Sequence, residues 1–421
     1  MNGEAGHAEK AENANALLEN GKQHFPKLFS PLNLNGVELS NRLFFPSMGV
    51  DLGDLDGTFS SRMEEFYDGI VASGCGLVVL SNATVSPDSV LQTHGLRLYE
   101  DRHIDALGRF CARAADRGVV VGIQLQHYGG QATTIHTKKP VLTPSGIPSP
   151  SSQRRDPAYQ AKEMSLHDID RVRSEFVHSA RLALRAGARF VQFQASNGYL
   201  LSSFLSPRTN RRQDAYGGNP EKRARLLVEI VEEVRAILGR GVALGVRLGI
   251  DDCMGPEGLV AEDLKDVVPL LEDAGVDLLE ASIATAETFS ALFERTPEME
   301  LHFQQQVKKV KGYAKVPVGF AGFIDSVEKG EQLVAGGVAD MIGMARALFA
   351  DNDLILKTLA GREDAVHKCL WDGNCFRDKS NPAFDRVYCC VNPKYKRPVL
   401  PSATPDPHAH NVAHLKEETN V

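Results

Sequence analysis

The sequence has no apolar run of membrane-spanning length, no surplus of positive charge and no cysteine framework, and each absence removes a class of function. A membrane helix needs about 20 consecutive apolar residues, and no stretch here reaches that length. The formal charge is −7; with no basic stripe interleaved with aromatics, nothing draws the chain to a phosphodiester backbone, and nucleic acid is not an expected partner. Seven cysteines in 421 residues, three of them alone at Cys75, Cys111 and Cys253, are too sparse for a secreted disulfide scaffold. The first residues lack a basic segment leading into an apolar one, so the expected location is cytoplasmic, away from any membrane.

What the chain does have is material for a large core, with 43% hydrophobic and 24% charged residues, the balance of an ordinary globular protein. Eight short, nearly continuous apolar runs recur: Leu43 to Met48, Leu77 to Ser81, Val119 to Leu125, Phe190 to Gln194, Ala243 to Leu248, Leu278 to Ala281, Val316 to Phe320 and Met341 to Met344. Such runs suit parallel strands buried on both faces, and a segment able to form a helix follows each. Glu221 to Leu238 and Ala261 to Ala274 show helical spacing. Gly118, Gly187, Gly275 and Gly337 each end a helical stretch before a strand, where a left-handed cap belongs. Eight repeats predict a (β/α)8 TIM barrel, although the same local pattern also fits a doubly wound open sheet.

The expected organisation is a flexible tail over 1–24, a single barrel domain over 25–360, a cysteine-containing extension packed on it over 361–398, and a second flexible tail over 399–421. Residues 130–162, rich in Pro, Ser and Thr, follow the third strand and should pass over one mouth of the barrel.

In barrels of this kind chemistry sits at the C-terminal ends of the strands. The residues there are Pro46, Ser47, Met48 and Gly49; Asn82 and Ala83; Gln124 and His127; Gln194, Asn197 and Tyr199; Arg247; Gly322; and Gly343, Ala345 and Arg346. Amides, a tyrosine and an arginine are present. Paired carboxylates, a histidine cluster and a Ser-His-Asp set are not, which argues against hydrolysis and against a catalytic metal; no metal is expected. The set suits a planar heteroaromatic cofactor with a phosphate tail held near Arg346 at the seventh and eighth strands. Arg247, alone in an apolar strand, either faces that cofactor or forms a structural ion pair.

These residues fall in motifs that resemble the Old Yellow Enzyme family of ene-reductases. Asn41-Arg42 followed by Pro46-Ser47-Met48 is similar to its first-strand motif, Gln124-Leu125-Gln126-His127 to its third-strand motif, and Asn197-Gly198-Tyr199-Leu200 to the element after strand four. The run from Phe204 to Arg225, with Asn210, Asp214 and Tyr216-Gly217-Gly218, is long and diagnostic, and Gly343-Met344-Ala345-Arg346 continues the match, which covers about residues 27 to 360. The resemblance implies FMN over the barrel mouth. Ser47, Met48, Gly49 and Ala83 would lie at the ring edge, Gln124 and Arg247 at the pyrimidine end, and Gly322, Phe323, Ala345 and Arg346 at the phosphate. It implies NAD(P)H as reductant, an α,β-unsaturated carbonyl compound as small-molecule substrate, Tyr199 as proton donor, and Gln194 and Asn197 as the clamp on the substrate carbonyl. A homo-oligomer is compatible with all of this.

Four departures stand out. Gln194 occupies a clamp position where the family usually has His, and an amide cannot become cationic. Gly49 replaces a Thr or Cys beside the flavin, and Gly130 replaces an Arg. Cys369, Cys375, Cys389 and Cys390 resemble the iron–sulfur segment of one branch of the family, with Asp372 where a ligand cysteine would stand; carboxylate is a poor substitute for thiolate on iron. The segment reads as a remnant. The expected reaction is hydride transfer through FMN to an activated alkene. The alternatives are a redox-neutral or oxidative step (isomerisation, dehydrogenation, cyclisation) on the same cofactor, or a non-catalytic FMN-binding protein.

Overall fold

The computed structural model describes residues 14–293, 295–377 and 387–397. Eight parallel strands close on themselves: β1 (Leu43–Phe45), β2 (Leu77–Val79), β3 (Val120–Gln126), β4 (Phe190–Ala195), β5 (Ala243–Asp251), β6 (Leu278–Ile283), β7 (Val318–Phe320) and β8 (Met341–Gly343). Each pairs with the next, and β8 returns to β1 through Ile342 opposite Leu43. That closure removes the open-sheet alternative. All eight strands lie where the apolar runs placed them. A two-residue strand, Ala83–Thr84, adds to β3 at the mouth.

Helices between the strands form the outer layer: α1 (Ser61–Val71), α2 (Asp105–Asp116), α3 (Leu166–Arg185), α4 (Pro220–Ile237), α5 (Val267–Asp273), α6 (Pro297–Lys311), α7 (Val327–Ala335) and α8 (Arg346–Ala350). Gly118, Gly187, Gly275 and Gly337 have φ of 73°, 77°, 108° and 69°, the left-handed caps expected of them. The continuous helix read over Ala261 to Ala274 is instead a 3₁₀ turn, Ala261–Leu264, followed by α5. Pro269 explains the break: its ring fits only the first turn of a helix, and starting at Val267 puts it there.

The barrel interior has a polarity gradient that marks the functional end. At the N-terminal end, Phe44, Leu77, Val79, Val120, Phe190, Ala243, Leu278 and Met341 pack with Leu34, Val37 and Leu39 of an antiparallel hairpin that plugs the bottom. Gly122 and Gly245 flank Phe190, where an added Cβ would stand 2.5 and 2.4 Å from its ring, so the close approach requires glycine. Higher up, the inward residues become Gln124, Gln192, Arg247 and Glu280, all but Arg247 fully buried. Apolar packing closes one end, at about 1.5–3 kcal/mol for each large side chain, and leaves a polar lining at the other.

Residues 130–162 form the expected excursion but carry structure of their own: a parallel strand pair, Val141–Thr143 with Ala161–Glu163, and short helices Thr134–Thr137 and Pro150–Arg155. The boundary at residue 24 falls too late. Residues 14–24 are helical, and Leu17 and Leu18 pack against the core; two leucines anchor a stretch otherwise too polar to show periodicity. Residues 1–13 and 398–421, which include the remaining tail expectations, lie outside the described residues. In the C-terminal extension, Val366, Cys369, Cys375, Val391 and Tyr395 pack against the barrel. No helix among the described residues is long and apolar enough to cross a membrane.

Candidate active site

A buried relay organises the mouth. Gln124 Nε2 donates to Gln192 Oε1 at 2.7 Å, and Gln192 Nε2 donates to Glu280 Oε2 at 2.9 Å. Glu280 Oε1 stands 3.4 Å from Arg247 Nε in an ion pair without good hydrogen-bond geometry, and Arg247 also donates to the Ser47 carbonyl at 3.0 Å. A carboxylate only accepts, so Glu280 fixes which way both amides face. Gln124 is left with its carbonyl oxygen and one N–H for a ligand. Arg247 is therefore ion-paired, yet its Nε and the Ser47 hydroxyl are buried without a hydrogen-bond partner. Sequence reasoning missed Glu280 and Gln192. An acid in the apolar run of β6 carried the same signal as the arginine in β5, and pairing the two would have found it.

Tyr199 begins the short helix Leu200–Leu205 after β4, and its ring packs edge-on against Tyr128 at 5.6 Å between centroids. Tyr128 in turn accepts a hydrogen bond from Asn82 at 2.8 Å. Burial raises the Tyr199 pKa above the ordinary phenol value, outweighing the nearby Gln126 amide and the charges of Arg247 and Arg155, which favour the phenolate. The group is a phenol at neutral pH. Gln194 Oε1 accepts from the Ser196 N–H at 3.2 Å and its hydroxyl at 2.6 Å. Its amide nitrogen is consequently the end left to donate.

Asn197 differs from expectation. Its backbone is left-handed, φ 59°, and its side-chain nitrogen donates to the Ile283 carbonyl at 3.0 Å, with Ala284 O at 3.2 Å and Ser282 Oγ at 3.3 Å. Its side-chain oxygen lies 2.8 Å from the Ser196 hydroxyl, where it shares with Gln194 the one proton that group can donate. The amide ties the end of β4 to the end of β6, and its donors are spent there. As placed, it holds the loop that carries Tyr199, with its amide N–H groups engaged on β6.

At the other side of the mouth, Gly322 and Phe323 follow β7, and Ala345 precedes Arg346, the first residue of α8. Arg346 donates to the Leu292 carbonyl at 2.7 Å, lies 4.4 Å from the Trp371 ring centroid and 5.7 Å from that of Phe323, and keeps a buried Nη1 without a partner. Trp371 belongs to the C-terminal extension, which thus roofs the cation. Met48 and Gly49 are half-buried after β1, and Ala83 is buried beside β3. Gly130 is filled from outside: the Tyr159 hydroxyl donates to its carbonyl at 2.7 Å.

Orphaned donors at Ser47, Arg247 and Arg346, with the free end of Gln124, suit a ring that accepts hydrogen bonds at one end and carries a phosphate at the other. The family model for NADH:flavin oxidoreductase / NADH oxidase matches residues 27–365. The chain belongs to this family. The FMN cofactor and NAD(P)H reductant expected from the motifs stand with that membership. A relative named NADPH dehydrogenase from Geobacillus thermodenitrificans is 31% identical over 76% of this chain and 90% of its own length. One named NADH oxidase from Thermoanaerobacter brockii is 29% identical over 88% of this chain but 56% of its own. A solved 2-naphthoyl-CoA reductase superposes with a TM-score of 0.81 at 24% identity over 88% of this chain and 57% of that one, a likeness of fold. The chain thus spans little more than half the length of each of these last two proteins.

In the cysteine segment Asp372 serves its own turn, accepting from Asn374 N at 3.1 Å and Asn374 Nδ2 at 2.9 Å. Burial raises the thiol of Cys369 and pushes that of Cys375 to about 12.

Proposed function

We propose that the protein is an FMN-dependent NAD(P)H oxidoreductase that reduces the alkene of an α,β-unsaturated carbonyl compound, with Tyr199 as proton donor. The observation that carries this reading is Tyr199 itself, a phenol whose pKa burial raises further above the ordinary value, on the loop that follows β4, the strand that carries Gln194. Bound FMN supplies the hydride-transfer chemistry between the nicotinamide and the substrate carbon. Arg247, Ser47 and Gln124 would hold its ring end, and Arg346, stacked on Trp371, its phosphate end. When hydride adds to the β-carbon of the substrate, negative charge gathers on the carbonyl oxygen. The Gln194 amide donates a hydrogen bond to that oxygen. Tyr199 then gives its proton to the α-carbon, and solvent reprotonates the phenolate.

A neutral amide in place of imidazolium stabilises that charge less, and the Asn197 amide is committed elsewhere. This pair of observations favours the second reading, a redox-neutral or oxidative step on the same cofactor. Timing the two half-reactions anaerobically decides between them. In the first reading NAD(P)H bleaches the flavin, an enone restores it, and Tyr199→Phe slows only the restoration. Restoration at the wild-type rate in Tyr199→Phe with every alkene would overturn the reductase and favour the second.

A further inference from the structure

At the C-terminal end of β5, Asp251, Cys253 and His302 bring three kinds of donor together. His302 Nε2 stands 2.9 Å from Asp251 Oδ2, and Cys253 Sγ joins them so that all three atoms lie within 4.8 Å of one another. The residues come from two segments, the β5 end and α6. We propose that Asp251 Oδ2, Cys253 Sγ and His302 Nε2 form a divalent-metal site for a borderline-soft ion, zinc by the chemistry of its donors.

The first argument is the donor set. One thiolate, one imidazole and one carboxylate suit zinc and similar first-row ions and exclude magnesium and calcium, which take oxygen alone. Thiolate and carboxylate together balance a divalent charge, so the loaded site is neutral in a partly buried position. The second is preorganisation. Asp251 Oδ1 is held by the Cys253 backbone N–H at 2.7 Å, which leaves Oδ2 as a single ligand atom facing His302. Such outer hydrogen bonds orient ligands and raise affinity. The Cys253 backbone is left-handed, φ 55°, and this returns its thiol to the carboxylate two residues earlier.

The third is geometry. With metal bonds of about 2.0–2.3 Å, tetrahedral ligand atoms stand roughly 3.3–3.8 Å apart. The carboxylate and imidazole are already closer than that, so an ion replaces the proton between them. The imidazole proton then sits on Nδ1, and the thiol proton leaves to solvent, one per ion bound. The His302 side chain is 39% exposed, which gives an entry path, and three ligands leave a fourth position for water. The bound ion ties the loop after β5 to α6. The loop leading into α6 contains Leu292, whose carbonyl holds Arg346. No ligand spacing in the sequence announces the trio, because His302 lies far from the other two.

The test separates this trio from the C-terminal cysteines, where four thiols fall close together in the sequence. Chelator-treated full-length protein is titrated with Zn²⁺ against a chromophoric chelator and, separately, with Co²⁺, whose spectrum counts coordinated thiolates. One tight site with a single-thiolate Co²⁺ band is expected, weakened at least ~tenfold by Cys253→Ser and by His302→Ala and unchanged by Cys369→Ser with Cys375→Ser. In case either site variant fails to fold, the wild type is alkylated with and without Zn²⁺ and its peptides are weighed. Cys253 should be protected by the ion. Alkylation of Cys253 at an unchanged rate under saturating Zn²⁺ overturns the proposal, as does binding that survives Cys253→Ser and vanishes with the C-terminal pair.

Discussion

Replacing Glu280 by Gln tests whether the buried relay is an electrostatic device or only a packing arrangement. Glu280 is 1% exposed, and its partner guanidinium 15%. At their separation of 3.4 Å and an effective dielectric of ~20, the gross attraction is about 5 kcal/mol. Gln keeps the shape and one acceptor, and the Ser47 carbonyl still holds Arg247, so part of that is retained. What is lost is the charge paired with a buried cation, and breaking such a pair costs roughly 3–5 kcal/mol; the lower end applies here. The introduced amide also frees the relay to reverse, since it can donate to Gln192 and turn the free end of Gln124 from acceptor toward donor. The variant should unfold at lower urea, with about 3 kcal/mol less stability, and should bind FMN more weakly. The comparison is urea unfolding with and without saturating FMN, together with an FMN titration. A variant within about 0.5 kcal/mol of wild type, the range of ordinary surface changes, and with unchanged FMN affinity would refute the electrostatic account.

Arg346→Ala should release FMN on gel filtration, and quenching of Trp371, the single tryptophan, reports the binding; equal retention would exclude the guanidinium as phosphate ligand. Gln194→His should raise turnover on generic enones if stabilisation of the developing oxyanion limits the wild type, measured as kcat at saturating NAD(P)H. His127 is buried, and burial depresses its pKa to about 3. The unfolded chain binds that proton from pH ~6.5 downward while the native state refuses it. Stability from this group is therefore complete above ~6.5 and falls toward pH 3 by up to about 1.4 kcal/mol per unit, and His127→Gln should flatten the dependence in urea unfolding at pH 7, 6 and 5. Iron and sulfide in anaerobically prepared protein should be far below four per chain, because Asp372 is committed to Asn374; near-stoichiometric iron would overturn this.

The strands were legible because a parallel barrel strand is buried on both faces, and continuous apolar runs such as Val119 to Leu125 have few other uses. The left-handed glycines were legible for a local steric reason. What escaped the sequence was pairing at a distance. Glu280 with Arg247, and Asp251 with His302, join positions tens of residues apart, the first pair across the register of neighbouring strands and the second between a strand end and α6, and no local pattern announces either. The 3₁₀ break before α5 was within reach, since Pro269 was in plain view.

Asn197 shows where motif matching stops. The motif correctly put Asn197 at the end of β4 beside Tyr199, but a motif fixes a backbone position and says nothing of what the side chain finds there. In this chain β6 ends in carbonyls at Ile283 and Ala284 that need donors, and the left-handed Asn197 supplies them. If its amide stayed at the mouth, two buried carbonyls would lose a partner at a cost of about 1–3 kcal/mol each. Substrate binding would have to exceed that to turn it. The donor available without such a cost is the Gln194 nitrogen, whose opposite end is fixed by Ser196. A single amide donor beside a phenol orients a carbonyl less firmly than two cationic or amide donors do. If the protein acts as proposed, selectivity falls more on the shape of the excursion over 130–162 than on the clamp.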